Sequence, residues 1–291
     1  MSVAISPSLN ANKTSGKIKV EGKAKLSIEC APGGDARIID LYHSDPLRFL
    51  FPITRKDEIM NAVTVTTSGG LVGGDVISIE VSIGENARAL VMAQAAEKIY
   101  RSNGENTEIN INLLSETGGW LEFLPQETIL FEGSRLNRKK NINVIDGGRL
   151  FAGEIIVFGR LGFGENFENG LIRDVWEIEH KGRLIWSDVL HLEKNIGSVI
   201  SDPACFDGAV AMATAVYVGP DAEEALTIAR DVVESSQKAV KSGVTYVNGI
   251  LVMRWLGNDT LELRNAFGEF WLNFRNKLIG LPARMPRLWN M

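Results

Sequence analysis

The sequence predicts a mainly β protein, a two-layered β-helical or stacked-sheet domain with two α-helices near its C-terminus. Three observations predict it. Apolar and polar residues alternate with a period of two over most of residues 17–218. Glycines interrupt that alternation at mostly regular steps of 14 or 15 residues. Apolar residues fall into helical spacing only beyond Gly219.

The strands come first. Leu26, Ile28 and Cys30 alternate with Lys25, Ser27 and Glu29, and Ile77, Ile79, Val81 and Ile83 with Ser78, Glu80 and Ser82. Ile109, Ile111 and Leu113 alternate with Glu108, Asn110 and Asn112, and Ile142 and Val144 with Asn141 and Asn143. Successive strand side chains point to opposite faces, so each run sets one face on a core and the other in water. Gly69, Gly84, Gly104, Gly118, Gly133 and Gly147 then mark the turns of a long antiparallel or coiled stack. The residues between them do not repeat, so no sequence-repeat family is implied.

Past Gly219, Pro220 and Asp221 sit where a helix would start, and the spacing predicts one over about 221–242. Ala222, Ala225, Leu226, Ala229, Val232, Val233 and Val240 form its apolar stripe. Glu223 and Glu224 lie in its first turn and Lys238 and Lys241 in its last, as the helix dipole favours, with Gly243 closing it. Strands are expected over 246–255 and 260–264, and a second helix over 266–279 that aligns Phe267, Trp271, Phe274 and Leu278. No Pro/Ser-rich linker divides the chain, so 17–291 read as one domain behind a polar, disordered tail over 1–16.

Composition narrows the function. The net charge of −5 does not suit a nucleic-acid face. The basic run Arg135, Arg138, Lys139 and Lys140 reads as a solvated loop. Cys30 and Cys205 form neither a disulfide framework nor a C-x-x-C pair. The first residues lack a charged segment followed by an apolar one, and no apolar run approaches the ~18 residues of a membrane span. A cytoplasmic protein with neither nucleic acid nor membrane as partner is the expectation.

Residues 69–75 (GGLVGGD) place two glycine pairs around Leu71 and Val72. A phosphate loop would end in Gly-Lys-Ser/Thr, and Asp75 leads into a strand instead, so these glycines form a turn. Residues 159–165 (GRLGFGE) miss the dinucleotide spacing and read as a bent strand connection. His43, His180 and His191 make no i, i+2 or i, i+4 pair. Asp75, Glu97, Glu127, Glu154, Glu165, Asp174 and Glu177 lie beside apolar strand residues. A buried carboxylate is costly unless paired or bound to a cation, so those facing inward would line a water-filled, cation-passing space. No G-x-S-x-G elbow occurs. Glu127 with Glu132 offers a carboxylate pair of the kind glycosidases use, with no motif behind it. Phe270 lies off the apolar stripe of its helix, which suggests an exposed ring; with Trp271 and Phe274 it is a candidate partner-docking residue, with core packing as the alternative.

Three strings carry more information together than singly: residues 69–75, residues 94–102 (QAAEKIYRS) and residues 123–133 (FLPQETILFEG). In that order they resemble the GG-x-x-GGD, A-x-K-x-YR-S and L-PQE-T-I-F-x-G segments of the UreD (UreH) family of urease accessory proteins. The likeness rests on Gly69, Gly70, Gly73, Gly74 and Asp75, on Lys98, Tyr100, Arg101 and Ser102, and on Pro125, Gln126, Glu127 and Gly133. Gly159, Arg160, Gly164 and Glu165 resemble the family's later GR-x-x-x-GE, and Gly170, Arg173 and Glu177 its following strand. Many members carry His-Pro-Pro before the first glycine pair; Thr66, Thr67 and Ser68 stand there in this chain.

The resemblance implies a two-layered β-helical fold and a non-catalytic scaffold for urease maturation. Its implied partners are UreF, the GTPase UreG and apo-urease. It implies no tightly bound cofactor, only transient nickel(II) passing through an internal tunnel. Asp75, Glu154, Glu165 and Glu177 are the carboxylates expected to line that tunnel. A purely structural partner-binding module is the competing expectation.

Overall fold

A computed structural model of the chain describes residues 19–235 and 240–290. The tail expected over 1–16 and Lys238 lie outside the described residues. The strands coil into a β-solenoid of about four turns. The first turn is β1 (Glu21–Cys30), β2 (Ala36–His43), β3 (Leu47–Leu50) and β4 (Met60–Thr66). The next two are β5 (Val76–Ile83), β6 (Arg88–Ala93) and β7 (Glu97–Ile99), then β8 (Thr107–Ser115), β9 (Trp120–Leu124) and β10 (Thr128–Leu130). The coil closes with β11 (Arg135–Val144), β12 (Arg149–Phe158), β13 (Leu171–His180) and β14 (Arg183–Leu192). Then follow α1 (Ile196–Ser201), β15 (Ala211–Val218), α2 (Ala225–Ser235), β16 (Lys241–Val247), β17 (Ile250–Gly257) and α3 (Thr260–Ile279).

The coils share their strands between two sheets. The first sheet runs β14-β13-β11-β8-β5-β1-β2 and the second β16-β17-β15-β12-β9-β6-β4-β3, with β7 and β10 paired beside β12. Within each sheet the central strands are parallel, and antiparallel strands cover the ends. Of the two stacks read from the sequence, the coiled one forms. The corners stack: Asn86 N–H donates to Thr117 O at 3.0 Å, and Gly118 N–H to Gly147 O at 3.0 Å. Gly118 and Gly147 hold φ of 70° and 80° there, a region an L side chain strains to reach.

Two apolar layers result. One fills the space between the sheets. The other lies between the outer face of the second sheet and helices α2 and α3. Covered on both faces, β12 is buried along nearly its whole length, as parallel strands under helices are.

The C-terminal third departs from the sequence expectation in four places. The helix expected over 221–242 is shorter, Ala225–Ser235, and Lys241 and Gly243 belong to strand β16. The strand expected over 246–255 is a hairpin whose turn, Asn248–Gly249, has both φ values positive (48° and 88°). That dipeptide is the preferred two-residue hairpin turn. The strand expected over 260–264 is the start of α3. Asp259 caps that helix by accepting from Glu262 N–H, and this end effect outweighs the alternation of TLELR. Helix α1 is an additional short helix.

The rings of α3 point into the second layer. Trp271 stacks on Phe151 at 3.8 Å between centroids, Phe274 meets Phe151 at 5.1 Å, and Phe270 meets Trp255 at 5.1 Å. Phe270 is only 1% exposed, so the expected exposed ring is corrected: Phe270, Trp271 and Phe274 all serve packing. A charge is buried with them. Glu122 accepts from Trp120 Nε1 at 2.7 Å, Trp271 Nε1 at 2.9 Å and Arg275 Nε at 3.1 Å, and Arg275 also pairs with Glu58. This network fastens α3 to the sheet and to the 58 loop.

Candidate functional site

Between the sheets the packing leaves a cavity of ≈ 200 Å³. Strand register explains its walls. On the first sheet, one inward column stacks Gly22, Ile77, Ile109, Arg138 and Asp174 on successive coils. The next stacks Ala24, Ile79, Ile111, Lys140 and Trp176. Both columns therefore begin apolar and turn charged on β11, the first ending in Asp174 and the second in the Trp176 ring. Thr64, Thr66, Phe123 and Glu154 line the opposite wall from the second sheet, with Glu97 and Thr128 from β7 and β10.

The charged end is a closed network. Arg138 donates to both oxygens of Asp174 at 3.0 and 2.9 Å, to Thr128 Oγ1 at 2.9 Å, and to Glu154 Oε2. Lys140 lies 2.8 Å from Glu154 Oε2, contacts Asp174 Oδ1, and sits 4.3 Å over the Trp176 ring. Trp176 Nε1 donates to Glu154 Oε1 at 2.9 Å. All four charged side chains are buried, which demands this degree of pairing. Burial pushes the Glu154 carboxyl up, against the pull of Arg138. Burial opposes ionisation of Asp174 as well, yet Arg138 and Lys140 hold it well below the usual carboxylate range. Burial and the adjacent guanidinium draw Lys140 down, and the two carboxylates keep Arg138 above its ordinary value in spite of burial.

The opposite part of the cavity is less saturated. Glu97 Oε2 accepts from Thr66 Oγ1 at 2.6 Å, and burial pushes the Glu97 carboxyl up. Gln126 is buried with Nε2 on Leu288 O at 3.3 Å, and its Oε1 has no partner among the described residues. Thr66 and Ser68, just before the first glycine pair, both line the cavity.

Of the four expected metal carboxylates, the structure brings only Glu154 to this cavity. Asp75 is buried in its own loop, accepting from Val72 N–H at 2.9 Å and Val20 N–H at 3.3 Å; it closes the glycine turn. Glu165 lies in the loop after β12, accepts from Glu132 N–H at 2.8 Å and pairs with Arg160 at 2.8 Å, which together hold its carboxyl low. Glu177 faces outward on the first sheet and pairs with Lys139 at 2.9 Å. Glu127 and Glu132 do not face one another: Glu127 pairs with Arg264, while Glu132 accepts from Glu168 and Asn169 N–H. Among the described residues no group of three or more His, Cys, Asp or Glu could hold a metal ion.

The basic run expected to be a solvated loop is instead strand β11, whose alternation turns Arg138 and Lys140 inward and Arg135 and Lys139 outward. The motif strings converge better than the carboxylates. Gly69, Gly70, Lys98, Pro125 and Gln126 line the cavity. A Cβ at Gly70 would meet the Tyr100 ring at 2.6 Å and Lys98 O at 2.7 Å, and Tyr100 OH donates to Gly69 O at 2.8 Å. Gly73, Gly74 and Arg101 form an adjoining cleft with Ser102.

Comparison with known proteins covers most of the chain. The profile of a family described as "UreD urease accessory protein" matches residues 20–290. A protein of Magnetococcus marinus named urease accessory protein UreD is 43% identical over 277 residues, covering 94% of each chain. Proteins of the same name from Xanthobacter autotrophicus and a Methylobacterium species are each 37% identical. They cover 92% of this chain and 89% and 94% of their own.

Proposed function

The chain belongs to the UreD family of urease accessory proteins, and from that premise we propose that it is a non-catalytic scaffold that passes nickel(II) to apo-urease through the cavity between its sheets. Its partners in this reading are UreF, the GTPase UreG and apo-urease, in the cytoplasm. The observation that carries the reading is the meeting of the family's own strings at that cavity: Gly69, Gly70, Lys98, Pro125 and Gln126 all line it.

The chemistry supports it. Roughly six waters fit in such a volume at about 30 Å³ each, room for a dication that keeps much of its shell. Glu97, Thr66 and the open Gln126 Oε1 offer oxygen donors without a closed ligand set. A conduit has to bind weakly enough to release its ion. Both carboxylates of the charged end are held by cations, which suits passage better than acid–base chemistry.

Ala93→Phe tests the route, because Ala93 lines the cavity and its replacement removes no hydrogen bond. The variant should still co-purify with UreF, UreG and apo-urease, while nickel-dependent urease activation falls at least tenfold. Full activation by the assembled variant would remove the cavity from the path.

A further inference from the structure

We propose that the Lys140 ammonium is a built-in surrogate for a divalent cation, occupying the point where Glu154 and Asp174 converge and so preventing the cavity wall from retaining one. Its purpose rests on the nickel-delivery reading above; its test does not.

The geometry assigns the role to this one side chain. Glu154 comes from β12 and Asp174 from β13, and both turn a carboxylate oxygen onto Lys140 Nζ. Two buried carboxylates meeting at a point are what a hard dication seeks. Arg138 cannot fill that point, because its planar fork is spread over Asp174, Thr128 and Glu154. With Lys140 in place, two cations balance two anions. Without it, one negative charge is left at the wall of a cavity large enough to hold water.

Packing does not require this arrangement. The same column carries Ala24, Ile79 and Ile111 on earlier coils. Well-packed apolar residues in place of a buried ion network are often neutral or stabilising. A charge network kept where the fold elsewhere uses isoleucine fits a function in which the wall must be polar yet non-retaining.

Nickel chloride binding to the purified full chain, followed by equilibrium dialysis and by thermal melts, provides the test. The natural chain should show no saturable site in the interior. Lys140→Ala should gain one nickel per chain, bound at least tenfold more tightly than by the natural chain, with a melting temperature that rises on adding nickel. Lys140→Ala/Asp174→Asn should lose that gain. If Lys140→Ala unfolds by itself, nickel should restore its circular dichroism. Lys140→Ala that binds no more nickel than the natural chain, or that stays unfolded with nickel present, overturns the proposal. Failure of the natural chain to support nickel-dependent urease activation would instead reject the delivery reading and leave the binding comparison standing.

Discussion

On the inner face of the ten-stranded sheet, Glu154 shares Arg138 and Lys140 with Asp174 beside a cavity. On its outer face, Glu122 is held by Arg275, Trp120 and Trp271 among packed rings. Both networks are buried and both rely on arginine. They differ in what surrounds them. The inner one joins neighbouring coils, β11, β12 and β13, and borders open space. The outer one joins the 58 loop, β9 and α3, which are far apart in sequence, and aromatic side chains fill its surroundings. A buried charge is thus a fastening when the space around it is filled, and a candidate site when space adjoins it.

The largest effect that distinguishes the two comes from Arg275→Met. It strands Glu122 and Glu58 without a cation, and breaking a buried pair costs about 3–5 kcal/mol. The loss should fall toward the upper end of that range in urea denaturation, since two carboxylates are left. Adding Glu122→Gln should return part of it. A loss below about 1 kcal/mol would mean that water reaches the outer network and that the contrast between the faces is wrong.

Next comes Phe270→Ala. The ring is fully buried against Trp255 and Phe274, so truncation should cost about 3–4 kcal/mol through the void it leaves. Partner co-purification at a temperature where the variant stays folded should be unchanged. A variant of normal stability that fails to bind UreF would return this ring to the surface role read from the sequence.

The sequence revealed the coil but not the direction of each charge. Period-two alternation is a local property, and it located the first-sheet strands β1, β5 and β8 and the second half of β11. Glu154 was legible because it is a lone charge in the buried run of β12. The first half of β11 was not, because RLNRKK holds a single apolar residue, Leu136, and its inward cations make sense only against carboxylates on β12 and β13. Glu177 was misplaced for the same reason: apolar neighbours show that a strand is half-buried, not which residues face in. Asp75 and Glu165 are loop carboxylates that accept backbone N–H groups, a role set by turn geometry. Phe270 was misjudged because α3 is covered by the sheet, α2 and the C-terminal segment, which widens its buried face beyond one stripe.

Glu97 sharpens the comparison with the smallest effect. It borders the same cavity as the inner network but has Thr66 rather than a cation as its side-chain partner. Burial raises its carboxyl above the ordinary value, so the folded chain holds that proton more tightly than the unfolded chain does. The sign follows from linkage: the stability carried by the protonated form is complete below the unfolded-state value and is lost as pH rises through the raised one. Glu97→Gln should therefore melt like the natural chain near pH 4 and about 1–2 °C higher near pH 8. The gain should be small because Glu97 is only half-buried and faces a cavity that admits water. A gain at pH 8 as large as the loss caused by Arg275→Met would show that the cavity is as dry as the outer network. An advantage that shrinks with rising pH would show that a cation already neutralises Glu97, which would make this wall, and not the Lys140 end, the one that holds an ion.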